Sequence, residues 1–258
     1  MTVLLDHLEA RRAAGRKLLV PYVMGGRPSL EGWPDAFSAV AGFADAVEIG
    51  LPYSDPLMDG PVIAGAGERA IRDGVGPLEV LDSAAGLPAE VPRVVMTYYN
   101  PIHRLGEAEF CRRAAKSGIG GLIVPDLPVE ESSSLREAAT DAGLGWIPLV
   151  APTSSPERVS AITATATGFV YAVSTLGVTG ARESLSDRAA AVVARCREAT
   201  DLPVLVGIGV TTAGQAVEAV ESADGVVIGS AVVGLIEERG AEAAGEFLEE
   251  VRTALAAL

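Results

Sequence analysis

The sequence predicts an α/β protein of the (β/α)8 TIM-barrel class, with an extra helix ahead of the first strand. Three observations lead there. Eight short apolar runs alternate with helix-like segments along the whole chain. The runs are apolar on both faces, as strands are in parallel sheets covered by helices. The chain has 258 residues and no linker or low-complexity break. One barrel domain over 1–258 suits that length, because such barrels commonly run to about 250 residues. Eight βα units in this span favour a closed barrel over an open, doubly wound sheet.

Residues 6–17 are charged and rich in Ala and Leu, the helix before the barrel. Residues 18–24 form a continuous apolar run closed by Gly25-Gly26-Arg27-Pro28, a buried strand and its turn. Ser29 can cap a helix to about Gly42. The second strand, 45–50, carries one acid near its C-terminal end, Glu48, and opens into a loop dense in Pro, Gly and Asp. Residues 63–73 and 77–85 are helical, and 91–98 is the third strand, ending in Tyr98-Tyr99-Asn100-Pro101. Helix 107–117, strand 121–125 and helix 129–142 follow, and then a fifth strand over 145–150. Ser154 or Ser155 starts the next helix, whose Pro156 suits a first turn. Strand 168–173 leads into a loop and a long helix within 182–200. Strand 203–207, a helix capped by Thr211 or Thr212, strand 225–229 and a last helical region from Ser230 complete the chain.

Barrels keep their chemistry at the C-terminal ends of the strands. Those ends carry Tyr22, Glu48, Tyr98, Asn100 and Asp126, and the sixth is preceded by Tyr171. A carboxylate inside an apolar strand is costly unless paired, protonated or used. Glu48 is therefore either a structural carboxylate paired with a nearby cation or a chemical group. The stiff loop after it holds Asp55 and Asp59, residues that among Pro and Gly also serve as turn and cap residues. The last two strands end in Gly207-Ile208-Gly209 and Gly229-Ser230, each opening a helix. Glycines let backbone approach a ligand and helix N-termini favour anions, so a phosphorylated substrate is expected there. The same glycines taken singly would serve as tight βα turns.

Other classes find little support. A net charge of −14 with no basic stripe argues against nucleic acid. His7 and His103 are isolated and no paired-Cys spacing occurs, so no metal is expected. Cys111 and Cys196 fit free thiols packed in a reduced, cytoplasmic protein. No run reaches the ~18 apolar residues of a membrane span, and the start lacks the regions of a signal peptide. Carboxylates, tyrosines and a phosphate cradle remain, and they suit general acid–base work on a phosphorylated small molecule.

Six motifs then resemble one family in order. They are EIGLPYSDPLMDGP (48–61), MTYYNP (96–101), VPDLPVEE (124–131), GVTG (177–180), VGIGV (206–210) and VVIGS (226–230). The chain resembles the α subunit of tryptophan synthase, itself a (β/α)8 barrel, which cleaves indole-3-glycerol phosphate to indole and glyceraldehyde 3-phosphate. The resemblance implies Glu48 as acid–base and Asp59 as acceptor of the indole N–H. It further implies Tyr22, Tyr98, Asn100, Tyr171 and Thr179 around the substrate, and Gly180, Gly209, Gly229 and Ser230 on the phosphate. It implies no cofactor in this chain and an α2β2 complex whose β subunit holds pyridoxal phosphate. Asp55 and residues 99–105 would face that partner. Arg27 departs from the family, in which an acid often precedes the proline. A stand-alone lyase, a non-catalytic activating subunit and a sugar-phosphate isomerase are the competing readings.

Overall fold

The structure is a computed structural model and describes residues 2–173, 185–207 and 209–258. A helix, α1 (Val3–Ala13), precedes the first strand. It begins earlier than the charge pattern suggested, because the Thr2 hydroxyl accepts from the Leu5 N–H and caps it. It also ends earlier, since Arg16 and Lys17 leave the helix to bind Asp45 and the carbonyls of Val220 and Ala223.

The strands are β1 (Leu18–Met24), β2 (Val47–Gly50), β3 (Arg93–Met96), β4 (Ile119–Ile123), β5 (Gly145–Trp146), β6 (Leu149–Val150), β7 (Val170–Val173), β8 (Val204–Gly207) and β9 (Gly225–Ile228). All pair in parallel, in the order β5-β4-β3-β2-β1-β9-β8-β7-β6. The two ends of that order, β5 and β6, are separated by only Ile147 and Pro148. Ile147 N–H donates to Leu122 O on the β4 side (3.0 Å), and Pro148 O accepts from Tyr171 N–H on the β7 side (3.0 Å). The expected fifth strand over 145–150 is therefore one course interrupted at a proline, and through it the sheet closes into the eight-course barrel. Pro148 has no N–H for a ladder, which is the physical reason for the break.

The helices after the first strand are α2 (Trp33–Ala41), α3 (Pro61–Arg72), α4 (Pro77–Ala84), α5 (Tyr99–Leu105), α6 (Glu107–Lys116), α7 (Ser133–Asp141), α8 (Pro156–Thr163), α9 (Leu185–Ala199), α10 (Ala213–Ser222), α11 (Ser230–Arg239) and α12 (Ala241–Ala256). Three differ from expectation. Ser29 does not cap α2 directly; its hydroxyl accepts from Gly32 N–H and shapes the turn before it. The span 129–142 splits into a 3-10 turn, Val129–Glu131, and α7. Residues 99–105, expected as rim loop, form α5, with Pro101 in its first turn, where a missing N–H costs nothing. Ser155 and Thr212 do cap α8 and α10, accepting from Arg158 and Gln215 N–H.

The core has two layers. Val47, Ile49, Val95, Leu122, Val170, Ala172, Val204, Val206, Val226 and Ile228 face outward into one cluster with the helices. Leu18, Val20, Val94, Ile123, Leu205 and Val227 fill the barrel, and Leu4 and Leu8 of α1 close its lower end. Side chains alternate along a strand. Glu48, between outward Val47 and Ile49, therefore points into the barrel, as do Tyr22 and Tyr171. Both cysteines are buried and free.

Candidate active site

The upper end of the barrel holds a carboxylate pair framed by tyrosines. Glu48 pairs in register with Tyr22 across β1 and β2, so both side chains enter at the same level. Glu48 is 1% exposed, and its Oε2 is a buried oxygen without a hydrogen-bond partner. Such groups are rare in folded proteins and call for an explanation. Burial, and then the charge on Asp59, push the Glu48 carboxyl up to about 8. Among the described residues no cation pairs with the acid in the apolar strand; it is held protonated near neutrality.

Asp59 sits at the end of the rim loop, two residues before α3. Burial raises its carboxyl to about 6, while a hydrogen bond from the Tyr98 hydroxyl pulls the other way. Tyr98 is itself fixed: its Oη accepts from Met58 N–H (2.9 Å) and its ring stacks on Tyr53 with centroids 5.1 Å apart. Tyr22 and Tyr171 are raised well above their ordinary value, by burial first and then by the charges of Asp59 and Glu48. Their hydroxyls stay protonated and face the carboxylate pair as neutral groups.

Two glycines that sequence reasoning did not assign to this arrangement make room for these rings. The Tyr22 hydroxyl occupies the space a Cβ on Gly50 would need. A Cβ on Gly207 would lie 2.6 Å from the Tyr171 hydroxyl. Each tyrosine therefore lies over the glycine that ends the next strand. The sequence signal was only a glycine two positions after Glu48, which carries no hint of its partner.

The remaining expected residues fall in three places. Asn100 is not among the buried groups; in the first turn of α5 it is exposed, and its Nδ2 donates to Tyr53 Oη (3.3 Å). It borders a rim groove of about 610 Å³ with Pro52, Tyr53, Pro77 and Arg104. Asp55 and Asp126 do local work: Ser54 Oγ donates to Asp55 (2.6 Å), and Tyr99 N–H donates to Asp126 Oδ1 (2.9 Å). Gly229 is the N-cap of α11 and Ser230 its first residue, with no side chain capping the first turn. Its leading N–H groups lack an intrahelical partner, as at any helix start. Gly209 differs from expectation, because it does not open a helix. It has φ +72° with open space on its Cβ side, and α10 begins only at Ala213, where Thr212 and Gln215 satisfy the first turn. Thr179 and Gly180 lie outside the described residues. Among the described residues no cluster of three His, Cys, Asp or Glu could hold a metal ion.

The family model for the tryptophan synthase alpha chain matches residues 8–256. The chain belongs to the tryptophan synthase alpha chain family. The alpha chain of Streptomyces avermitilis is 47% identical over 253 residues, 97% of this chain and 91% of that protein. That of Synechococcus elongatus is 42% identical over 99% of this chain and 97% of its own. Among solved structures, Mycobacterium tuberculosis tryptophan synthase superposes with a TM-score of 0.91 at 39% identity, covering 98% of each chain. The alpha subunit of Legionella pneumophila does so at 0.91 and 31%, covering 100% of each. As a member of that family, the protein is a carbon–carbon lyase of tryptophan biosynthesis acting on indole-3-glycerol phosphate.

Proposed function

We propose that Glu48 and Asp59 carry the cleavage of indole-3-glycerol phosphate in this chain. One observation supports the assignment most: a buried carboxyl with an unpartnered oxygen, protonated to about 8, beside a second carboxyl near 6. Between those values the first group is an acid and the second an anion, which is the pairing the reaction needs. Glu48 gives its proton to the indole carbon that bears the glycerol chain, forming the indolenine. Asp59 accepts the indole N–H and stabilises the positive charge that develops there. The glycerol hydroxyl on the adjacent carbon then returns a proton to Glu48 and becomes the aldehyde. The pair of the broken C–C bond goes back to the ring, releasing indole and glyceraldehyde 3-phosphate.

Tyr22, Tyr98 and Tyr171 shape the pocket and exclude water. Tyr98 also aims Asp59 through their hydrogen bond. The uncapped turn at Gly229-Ser230 supplies N–H donors for the phosphate, with the open backbone at Gly209 beside it. Thr179 and Gly180 would complete the cover. Asn100 lies two rings, Tyr53 and Tyr98, away from the buried pair, so its part is to hold the rim through Tyr53.

The partner in this reading is a tryptophan synthase β subunit in an α2β2 complex, with pyridoxal phosphate held by that subunit. The rim loop leaves Leu57 83% exposed, an apolar side chain of the kind partners cover. A cytoplasmic location fits the family; no helix among the described residues is long and apolar enough to cross a membrane.

The test is indole release from indole-3-glycerol phosphate by the purified chain, with and without a β subunit. Slow release alone, raised by the β subunit, is expected. Glu48→Gln should remove turnover by at least the ~10²–10⁴-fold that general acid–base catalysis contributes. Full activity in that variant would refute the assignment.

A further inference from the structure

Three segments that adjoin site residues converge on one carboxylate. Arg27, in the loop after β1, donates Nε to Glu237 Oε1 (2.7 Å) and Nη2 to Oε2 (3.2 Å). Arg69 of α3 donates Nε to the same Oε2 (2.7 Å), and Arg27 Nη1 reaches Asp73, the C-cap of α3 (2.8 Å). Arg27 and Glu237 are only 12% and 11% exposed, so this central pair is shielded, while Arg69 and Asp73 lie at its exposed edge. The two arginines lower the Glu237 carboxyl against the opposing effect of burial.

The position of the network gives it a purpose beyond cohesion. Arg69 lies eight residues into α3, and Glu237 seven residues into α11, about two turns down each helix. At their upper ends the helices touch: a Cβ on Gly229 would lie 3.2 Å from Ile63 Cδ1. Just above those ends stand Asp59 on one side and Gly229-Ser230 on the other. The loop holding Arg27 is tied in turn to β2, since Gly25 N–H donates to Gly50 O (2.9 Å), two residues beyond Glu48.

We infer that Glu237 and Arg27 are positioning residues for the lyase reaction: they pin α3, α11 and the β1–α2 loop together and so fix Asp59 relative to the phosphate-facing turn at Gly229-Ser230. The inference rests on the site assignment proposed above. A substrate spanning a carboxylate and a phosphate cradle needs that distance held. The forked contact of Arg27 with a carboxylate 210 residues away shows what the cation does here.

The test compares Glu237→Gln, Arg27→Met and Arg27→Lys in the full-length chain, with circular dichroism to confirm folding. The readouts are kcat and KM for indole-3-glycerol phosphate and the inhibition constant of glycerol 3-phosphate. Positioning predicts that folded Glu237→Gln and Arg27→Met raise KM and weaken glycerol 3-phosphate. The expected loss in kcat/KM is about tenfold, below the ~100-fold that a 1 Å misplacement can cost. Arg27→Lys should recover most of it, and the pH limb set by Glu48 should stay in place. Simple charge attraction predicts the opposite for Glu237→Gln, because Arg69 would lose its carboxylate and Arg27 one of its two, and the freed positive charge would tighten a phosphate ligand. Folded variants with lower melting temperature but parental kcat and KM, or with lower KM, would overturn the inference. If Glu237→Gln does not fold, the Arg27 pair decides the matter. An unaltered chain that neither cleaves the substrate nor binds glycerol 3-phosphate overturns the site assignment and this inference together; an active chain with unaffected variants overturns the inference alone.

Discussion

Folding moves the Glu48 carboxyl from 4.5 to about 8, so between those values the folded state keeps a proton that the unfolded chain gives up. Stability therefore falls as pH rises through that window and levels off above it, a loss on the order of 5 kcal/mol at full ionisation. Glu48→Gln has no such proton. Urea unfolding at pH 5 and pH 9 should show a smaller pH-dependent loss in the variant than in the parent, and the variant should be relatively stronger at pH 9. On the proposed assignment, activity follows the pair. It should rise as Asp59 ionises near 6 and fall as Glu48 ionises near 8, giving a bell-shaped kcat/KM whose limbs belong to both groups together. Asp59→Asn should erase the lower limb along with most of the rate, measured as kcat/KM against pH. Glu48 was legible in the sequence because a lone acid in an apolar strand has few uses. Asp59 was legible only through the motif, since Asp among Pro and Gly is ordinarily turn chemistry; what separates it from Asp55 is the Tyr98 hydroxyl, a contact made across the fold.

At the level of strands and helices, period-2 alternation explains why Tyr22, Glu48 and Tyr171 share one interior. Their neighbours Val23, Ile49 and Ala172 are taken by the helices. That much could be read from the runs themselves. The glycines beneath the rings could not, because the need for Gly50 is created by Tyr22 on another strand. Gly50→Ala should displace that phenol, lowering stability by about 1–3 kcal/mol as overpacking does and reducing kcat/KM; a urea titration and a rate measurement on the same preparation would check both. The fifth strand was legible in extent but not in its break, although Pro148 was in plain view. Helix α5 was missed because seven residues containing a proline resemble a loop until Asp126 supplies an acceptor for its first N–H.

Across the molecule, stability and chemistry occupy opposite ends. At the lower rim Asp45, 1% exposed, accepts from Arg16 (2.7 Å), from Arg252 of α12 (2.6 Å) and from Leu19 N–H (2.9 Å). Arg252 also donates to the carbonyls of Phe43 and Lys17, so the last helix is locked to the start of the barrel. Arg252→Ala should cost about 3 kcal/mol, as breaking buried pairs does, while leaving kcat and KM of the folded protein unchanged. Chemical denaturation and steady-state kinetics would separate the two effects. The architecture as a whole was legible because eight apolar runs repeat at barrel spacing. The long-range ties were not, since Arg252 and Arg27 choose partners more than 200 residues away.

The join at Ile147-Pro148 also decides how this protein resists aggregation. A closed barrel offers no free strand edge for another chain to extend. Here closure depends on two short pieces, and if they part, the flanks of β4 and β7 are bared together. Partly opened chains would then meet edge to edge along β4 and β7, so the grip of two short pieces on their neighbours is what keeps those edges covered.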